Sequence, residues 1–390
     1  MMLKTGTPSV EATHSNPLIE IEPRLGGHPQ RGTAIIESSG IEAHCFVFTA
    51  LGYINALEFL TEAGFVGKRH LFIIPSTEIS AQQIRRLAKS HDWTRVHLVW
   101  PGDRPGVLAK SISSLRLLKI SLWFRLALSR MTPDDHVVVS HLDNPYSRLI
   151  SQHRIKQFAP VVVVDDGLST LLCHKEMAKW GELPLGRVKP SMRARLERAL
   201  LSRSAVPARA VRFFSMFSLE PCDGVASIGK NRLVTLRQMI RSQQTTEHVY
   251  FIGQPWLRAG RSDEREYYSA VERIREHYRQ QGLEFIYIPH RNENRAEVAK
   301  RFRTLETELP LELFLLEASC LPQVLAGFFS TCLLTGFYVF GSKMRYEFFW
   351  GFPGALSPES WDPCGVTDFV MRETSGAKFV SINRTLGGST

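Results

Sequence analysis

No run of 18 uncharged apolar residues occurs anywhere in the 390-residue chain, so no segment is expected to span a bilayer. Residues 1–31 are polar and contain Pro and Gly. They lack the apolar run of a signal peptide and are expected to form a flexible tail. The six cysteines, at 45, 173, 222, 320, 332 and 364, make no Cys-x-x-Cys pair. That excludes a readable zinc site or disulfide framework and predicts reduced thiols in a cytoplasmic protein. No internal repeat or low-complexity tract is present. Helix-turn-helix, zinc-finger and aromatic-basic RNA-sheet patterns are missing as well, so nucleic acid is not an expected partner. Acid is scarce in two stretches: 110–130 has none, and 187–212 has only Glu197 against eight Arg and Lys.

What is present describes a folded protein with an anionic partner. Apolar residues make up 44% and charged residues 22% of the chain, the balance of a globular protein. The length suits two domains of about 150–200 residues each. A net charge of +10 favours a nucleotide or the anionic face of a membrane. Phe is frequent, at 23 residues, and falls in short runs such as Phe213-Phe214, Phe328-Phe329 and Phe348-Phe349. Such runs suit buried strands or an apolar surface against another body.

Apolar β-branched runs at 44–48, 70–74, 95–100, 136–140 and 161–164 alternate with helical patterns, which predicts a parallel sheet covered on both faces. Residues 211–218 and 224–228 close this first domain, and 231–242 is expected as a connecting helix. A second series begins at 248–252 and continues with a helix at 264–281 and a strand at 285–288. It goes on with a strand at 311–316, a short helix at 321–326 and a strand at 327–329. The division expected is a tail over 1–31, an N-terminal Rossmann-like domain over 32–242 and a C-terminal one over 243–390. The fold class is α/β.

Three motifs stand at predicted strand ends, where open α/β sheets place ligands. The first is Asp165-Asp166-Gly167 after four valines. Adjacent side chains in extended chain point apart, so one carboxylate is expected to face the cleft as a general base and the other to hold the turn. The same residues also read as a plain turn, or as a magnesium-binding pair. The second is Pro289-His290-Arg291-Asn292-Glu293, whose imidazole and guanidinium suit a phosphate. Its bland reading is an ordinary loop. The third is Ser330-Thr331, which either simply caps a helix or adds an anion site at its start. Gln254 closes the first strand of the second domain, and Glu312 or Glu317 would accept from ribose hydroxyls. His141, Asp143 and Asn144 share one further strand-end loop, unranked.

In order and placement these motifs resemble those of the bacterial sialyltransferases of the two-domain GT-B type, the lipooligosaccharide sialyltransferase and capsular polysialyltransferase families. Their Asp/Glu-Asp-Gly motif is matched by 165–167, the His of their His-Pro motif by His290, and their Ser/Thr motif by Ser330-Thr331. Arg291 stands where the families have Pro. The stretch Phe251-Ile252-Gly253-Gln254-Pro255 and the loop Phe48-Thr49-Ala50-Leu51 share the likeness, which extends over about 44–385.

The resemblance implies two Rossmann-like domains facing across a cleft and an inverting, metal-independent transfer. Asp165 would be the base and His290 would hold the phosphate of a CMP-activated nonulosonate donor. Ser330 and Thr331 would help, and Arg291 would meet the donor carboxylate. No cofactor or metal is expected. Kdo or another sugar would suit the same logic, as would a UDP-sugar donor or a non-catalytic polysaccharide-assembly role. The acceptor would be a surface glycan or glycolipid. The basic segments 110–130 and 187–212 would meet the inner face of the cytoplasmic membrane, and a homodimer stays open.

Overall fold

Buried strands that end at a helix-capping side chain recur through the first half of the chain. A computed structural model describes residues 18–21, 40–75, 77–99, 107–184, 205–241, 243–254, 264–290, 293–328, 330–350 and 366–381. The first half begins with β1 (Leu18–Ile21), β2 (Glu42–Val47) and α1 (Ala50–Glu62), then β3 (Lys68–Ile73) and α2 (Glu78–Ala88). Next come β4 (Arg95–Val99), α3 (Val107–Ser129), β5 (His136–Val139) and α4 (Pro145–Lys156). They are followed by β6 (Val161–Val164), α5 (Ser169–Trp180), the ribbon β7 (Glu182–Leu183) with β8 (Val206–Pro207), β9 (Val211–Ser215) and β10 (Ser227–Lys230). Thr49, Thr77 and Asn144 cap α1, α2 and α4 by accepting a backbone N–H inside the first turn.

These strands form a sheet in the order β1-β4-β3-β2-β5-β6-β9-β10, parallel throughout except for β1. The order reverses between β2 and β5, the switch point where a doubly wound sheet opens a crevice. Side chains alternate along β2, with Ala43, Cys45 and Val47 in one core and Phe46 in another across the sheet. Both faces are therefore covered, which is why these strands read as unbroken apolar runs.

After a short α6 (Val234–Gln238), the second half contains β11 (Gln244–Ile252), α7 (Glu264–Gln280), β12 (Glu284–Ile288) and α8 (Arg295–Ala299). Then follow α9 (Leu311–Glu317), β13 (Cys320–Gly327), α10 (Thr331–Phe340), β14 (Arg345–Trp350), α11 (Val366–Glu373) and β15 (Lys378–Ser381). The sheet order is β12-β11-β13-β14-β15, all parallel, with its own reversal at β11. One buried cluster runs from α1 and β2 into Ile252 and Phe348 of the second sheet and Leu333 of α10, so the halves meet through apolar contact. This is the expected α/β architecture, with two parallel sheets each reversing its strand order.

Four expectations need correction. Residues 18–21, within the stretch expected as a loose tail, pair antiparallel with β4. Residues 311–316 are helix, not strand, and 321–326 are strand, not helix. The connecting helix expected over 231–242 is confined to Val234–Gln238. Most of the basic segment 187–212 lies outside the described residues.

Candidate functional site

Both sheets present their carboxyl edges to one cavity of about 410 Å³. From the first half come Thr49 after β2 and the Asp166-Gly167-Leu168 turn after β6; from the second come Gln254 after β11, His290 after β12 and Ser330-Thr331 after β13. α1 reaches this edge closely because Gly52, lacking a Cβ, lies directly against the Ser140 side chain. Ser140 Oγ in turn accepts the Phe48 N–H at 3.2 Å. The start of α1 and the end of β5 are thereby fixed side by side.

The two aspartates diverge, but in the opposite sense to the expectation. Asp165 is completely buried, at 0% exposure. Its carboxylate accepts from Ser215 Oγ at 2.7 Å and the Met216 N–H at 2.6 Å, and its carbonyl accepts from Asn55 Nδ2 at 2.9 Å. It ties β6 to β9 and α1 and does not line the cavity. Burial pushes its carboxyl up to about 7, opposed by the Met216 N–H and the Ser215 and Thr170 hydroxyls. Asp166 is the one that lines the cavity. Its Oδ1 accepts the Thr49 hydroxyl, and its Oδ2 lies 3.7 Å from His141 Nδ1. The placement of Asp165 therefore does not suit a base, because a sealed carboxylate cannot reach an acceptor hydroxyl.

His141 is thus the member of its loop that meets the site. Asp143 is engaged by Arg148 at 2.6 Å, and Asn144 caps α4 by accepting the Tyr146 N–H at 2.9 Å. Thr49, which the sequence marks only as part of a similar loop, holds the cleft carboxylate from across the sheet.

The opposite wall is built from helix starts and a buried hydrogen-bond chain. Ser330 Oγ accepts the Cys332 N–H at 3.3 Å and its carbonyl accepts the Leu333 N–H at 3.1 Å, while the Ser330 and Thr331 side chains line the cavity at the start of α10. Gly167 adopts φ +80°, and a Cβ there would stand 3.1 Å from Thr331 Oγ1, so the carboxylate turn touches the capping loop. His290 is half-buried, and its backbone N–H donates to Glu293 Oε2 at 2.7 Å. Glu293 Oε1 accepts from the Tyr287 hydroxyl at 2.8 Å, so the Tyr267 hydroxyl, 2.8 Å away, must donate to Tyr287. Tyr267 then accepts the Gln254 N–H at 3.0 Å. The chain locks the loop after β12 to the end of β11. Burial pushes Glu293 up to about 7, against the pull of its His290 and Tyr287 donors.

Gly253 makes this chain sterically possible. A Cβ there would lie 2.7 Å from Tyr287 Cε1 and also against the Tyr287 hydroxyl and Glu293. Gly253→Ala is expected to cost about 1–3 kcal/mol of stability, the usual range for overpacking. Urea unfolding measures this; an unchanged midpoint and slope would mean that the tyrosine pair yields freely.

Glu312, in the first turn of α9, is buried and lines the cavity, and burial raises its carboxyl pKa. Glu317 is exposed at the far end of the same helix and does not line the cavity, since five helical residues turn it well away from Glu312. Arg291 lies outside the described residues. Arg295, at the start of α8, lines the cavity without having been singled out by any motif. Its signal was available only as the first helical residue after the His290 loop.

No protein-family model matches the chain, and no curated protein matches its sequence. Among solved structures, the UDP-GlcNAc 2-epimerase of Methanocaldococcus jannaschii, complexed with UDP-GlcNAc and UDP, is similar at 12% identity, over 89% of this chain and 90% of that one, with a TM-score of 0.47. An alpha/beta-galactoside alpha-2,3-sialyltransferase from Photobacterium phosphoreum is similar at 11% identity, over 88% and 100%, with a TM-score of 0.44. The MurG of Acinetobacter baumannii is similar at 11% identity, over 88% and 86%, with a TM-score of 0.39.

Proposed function

We propose that this chain is an inverting glycosyltransferase that moves sialic acid or a related nonulosonic acid from a CMP-activated donor to a hydroxyl of a surface glycan or glycolipid. One observation carries the reading: a single cavity has the Asp166 carboxylate on one wall and the His290, Ser330 and Thr331 groups on the other.

In this reading Asp166 takes the acceptor hydroxyl proton as the acceptor oxygen bonds to the anomeric carbon. The bond from that carbon to the CMP phosphate oxygen breaks with its electron pair, and the charge departs on CMP. His290, the Ser330 and Thr331 hydroxyls and the positive end of the α10 dipole receive that charge, the fixed-donor form of electrostatic stabilisation, and no divalent ion is required. Base and leaving group on opposite walls correspond to attack from the side opposite the departing phosphate, hence inversion. Gln254 and the buried Glu312 are placed to accept from or donate to the nucleoside, Arg291 would meet the donor carboxylate, and Glu317 has no part.

The test is thermal unfolding with CMP, UDP and GDP in turn. CMP at a hundredfold excess over its Kd is expected to stabilise the protein by about 2.7 kcal/mol, because only the native state binds. UDP and GDP are expected to give less. Protection by UDP alone would move the donor to a UDP-sugar. Protection by none of the three would leave a non-catalytic role in polysaccharide assembly.

A further inference from the structure

A helix that covers a core with one face normally turns a polar face outward. α3 does not. Its inner face, with Ile120, Phe124 and Leu128, is sealed at 0–1% exposure against β2, β3 and β5. Its outer face carries Leu118, Leu122 and Leu126 at 43%, 53% and 63% exposure. Residues four apart lie in one row along a helix, so the three leucines form a continuous ridge. Lys119, Arg125 and Arg130 are exposed on the same outward arc. From 107 to 130 the sequence has no Asp or Glu.

We propose that this outer face of α3 docks on an anionic lipid bilayer. The ridge would enter the boundary between headgroups and acyl chains, and the interleaved cations would meet lipid phosphates. The mode is lying on the membrane, since no described helix is long and apolar enough to cross one. Charge selects the occupant. A two-fold contact between copies through this face would set one basic arc of Lys119, Arg125 and Arg130 against another, whereas an anionic surface complements it. Topology adds a consequence. α3 starts from the carboxyl end of β4 and returns to the start of β5, so its first turn departs from the sheet edge that carries Asp166. A bilayer lying along α3 therefore extends toward the edge where the cavity lies. The inference does not require the transferase reading.

The test is sedimentation of the full chain with vesicles of phosphatidylcholine containing one-third phosphatidylglycerol, against phosphatidylcholine alone, at low and high salt. Wild type is expected to bind the anionic vesicles, less so as salt rises, and to bind the neutral ones weakly. Combined replacement of Leu118, Leu122 and Leu126 by Ser is expected to weaken binding about tenfold or more, from the apolar area withheld from the lipid. Its melting temperature should stay near that of wild type, because the three side chains face outward. Lys119→Gln with Arg125→Gln is expected to reduce the salt dependence while leaving residual apolar binding, so the proposal stays testable should the leucine variant fold poorly. Binding to anionic vesicles that neither variant changes would overturn the proposal. So would no vesicle binding by wild type, including the case of a concentration-dependent dimer that the leucine variant abolishes.

Discussion

Asp166→Asn is expected to slow sugar transfer by about 10²–10⁴-fold, the range that a positioned general base contributes, while the fold and the affinity for the nucleotide stay intact. The amide has nearly the shape of the carboxylate, and its oxygen still accepts the Thr49 hydroxyl that holds Oδ1. What it loses is the capacity to take a proton. The proposed nucleotide-gripping groups stand on the other wall, so donor binding should be nearly unaffected. Initial rates with a CMP-activated donor, set beside the nucleotide dissociation constant for the same preparation, separate the two effects. A variant that retains its rate would remove the base from this site. A variant that loses rate and nucleotide affinity together would make Asp166 a binding residue instead.

The larger design was legible because it depends on local composition. Valine runs such as 161–164 are buried on both faces of the first sheet, and that burial allows them to be unbroken. The strand-end motifs were legible for the same reason: a turn that must follow a buried strand exposes whatever polar residues it carries. Two classes of fact were not legible. One is the identity of short apolar segments. Leu311-Glu-Leu-Phe-Leu-Leu316 is buried nearly all round, so its periodicity cannot tell helix from strand. The neighbouring strand β13 contains Pro322, an unusual residue for a central strand, and reads as a helix for lack of a strand signal. The structure accommodates that proline opposite Thr246, beside the register shift between Thr246 and Val249. The other is orientation. Sequence predicts that Asp165 and Asp166 diverge but not which one turns inward. That choice is made by Ser215 and Met216, 50 and 51 residues downstream, which close around Asp165. The exposed leucine ridge of α3 belongs to this class too: the sequence shows apolar and basic residues together, and only packing shows which leucines stay exposed.

Asp165→Asn should act on stability, and its signature is a change in pH dependence. In the folded protein burial holds the Asp165 carboxyl at about 7, against an ordinary value of 3.8. Between those values the unfolded chain has released the proton and the folded chain keeps it, so stability falls as pH rises and levels off above about 7. From about pH 5 to about pH 7.5 this one group should cost wild type about 2–3 kcal/mol. Asparagine has no proton to release and should lack that share of the slope. It brings an NH2 with two donors where the protonated carboxyl has one O–H, into a pocket lined by the Met216 N–H and the Ser215 and Thr170 hydroxyls, so at pH 5 it should be less stable than wild type by about 1–3 kcal/mol. The difference between the two proteins should therefore narrow as pH rises, and can change sign near neutrality. Glu293, also held at about 7, is present in both and contributes the same background slope to each. Urea unfolding at several pH values between these limits measures the difference directly. Parallel stability curves for the two proteins would show that Asp165 is ionised throughout. Its hydrogen bonds from β9 would then outweigh its burial, and the carboxylate would be a fixed negative charge behind the Asp166 turn, raising the proton affinity of its neighbour in the cleft.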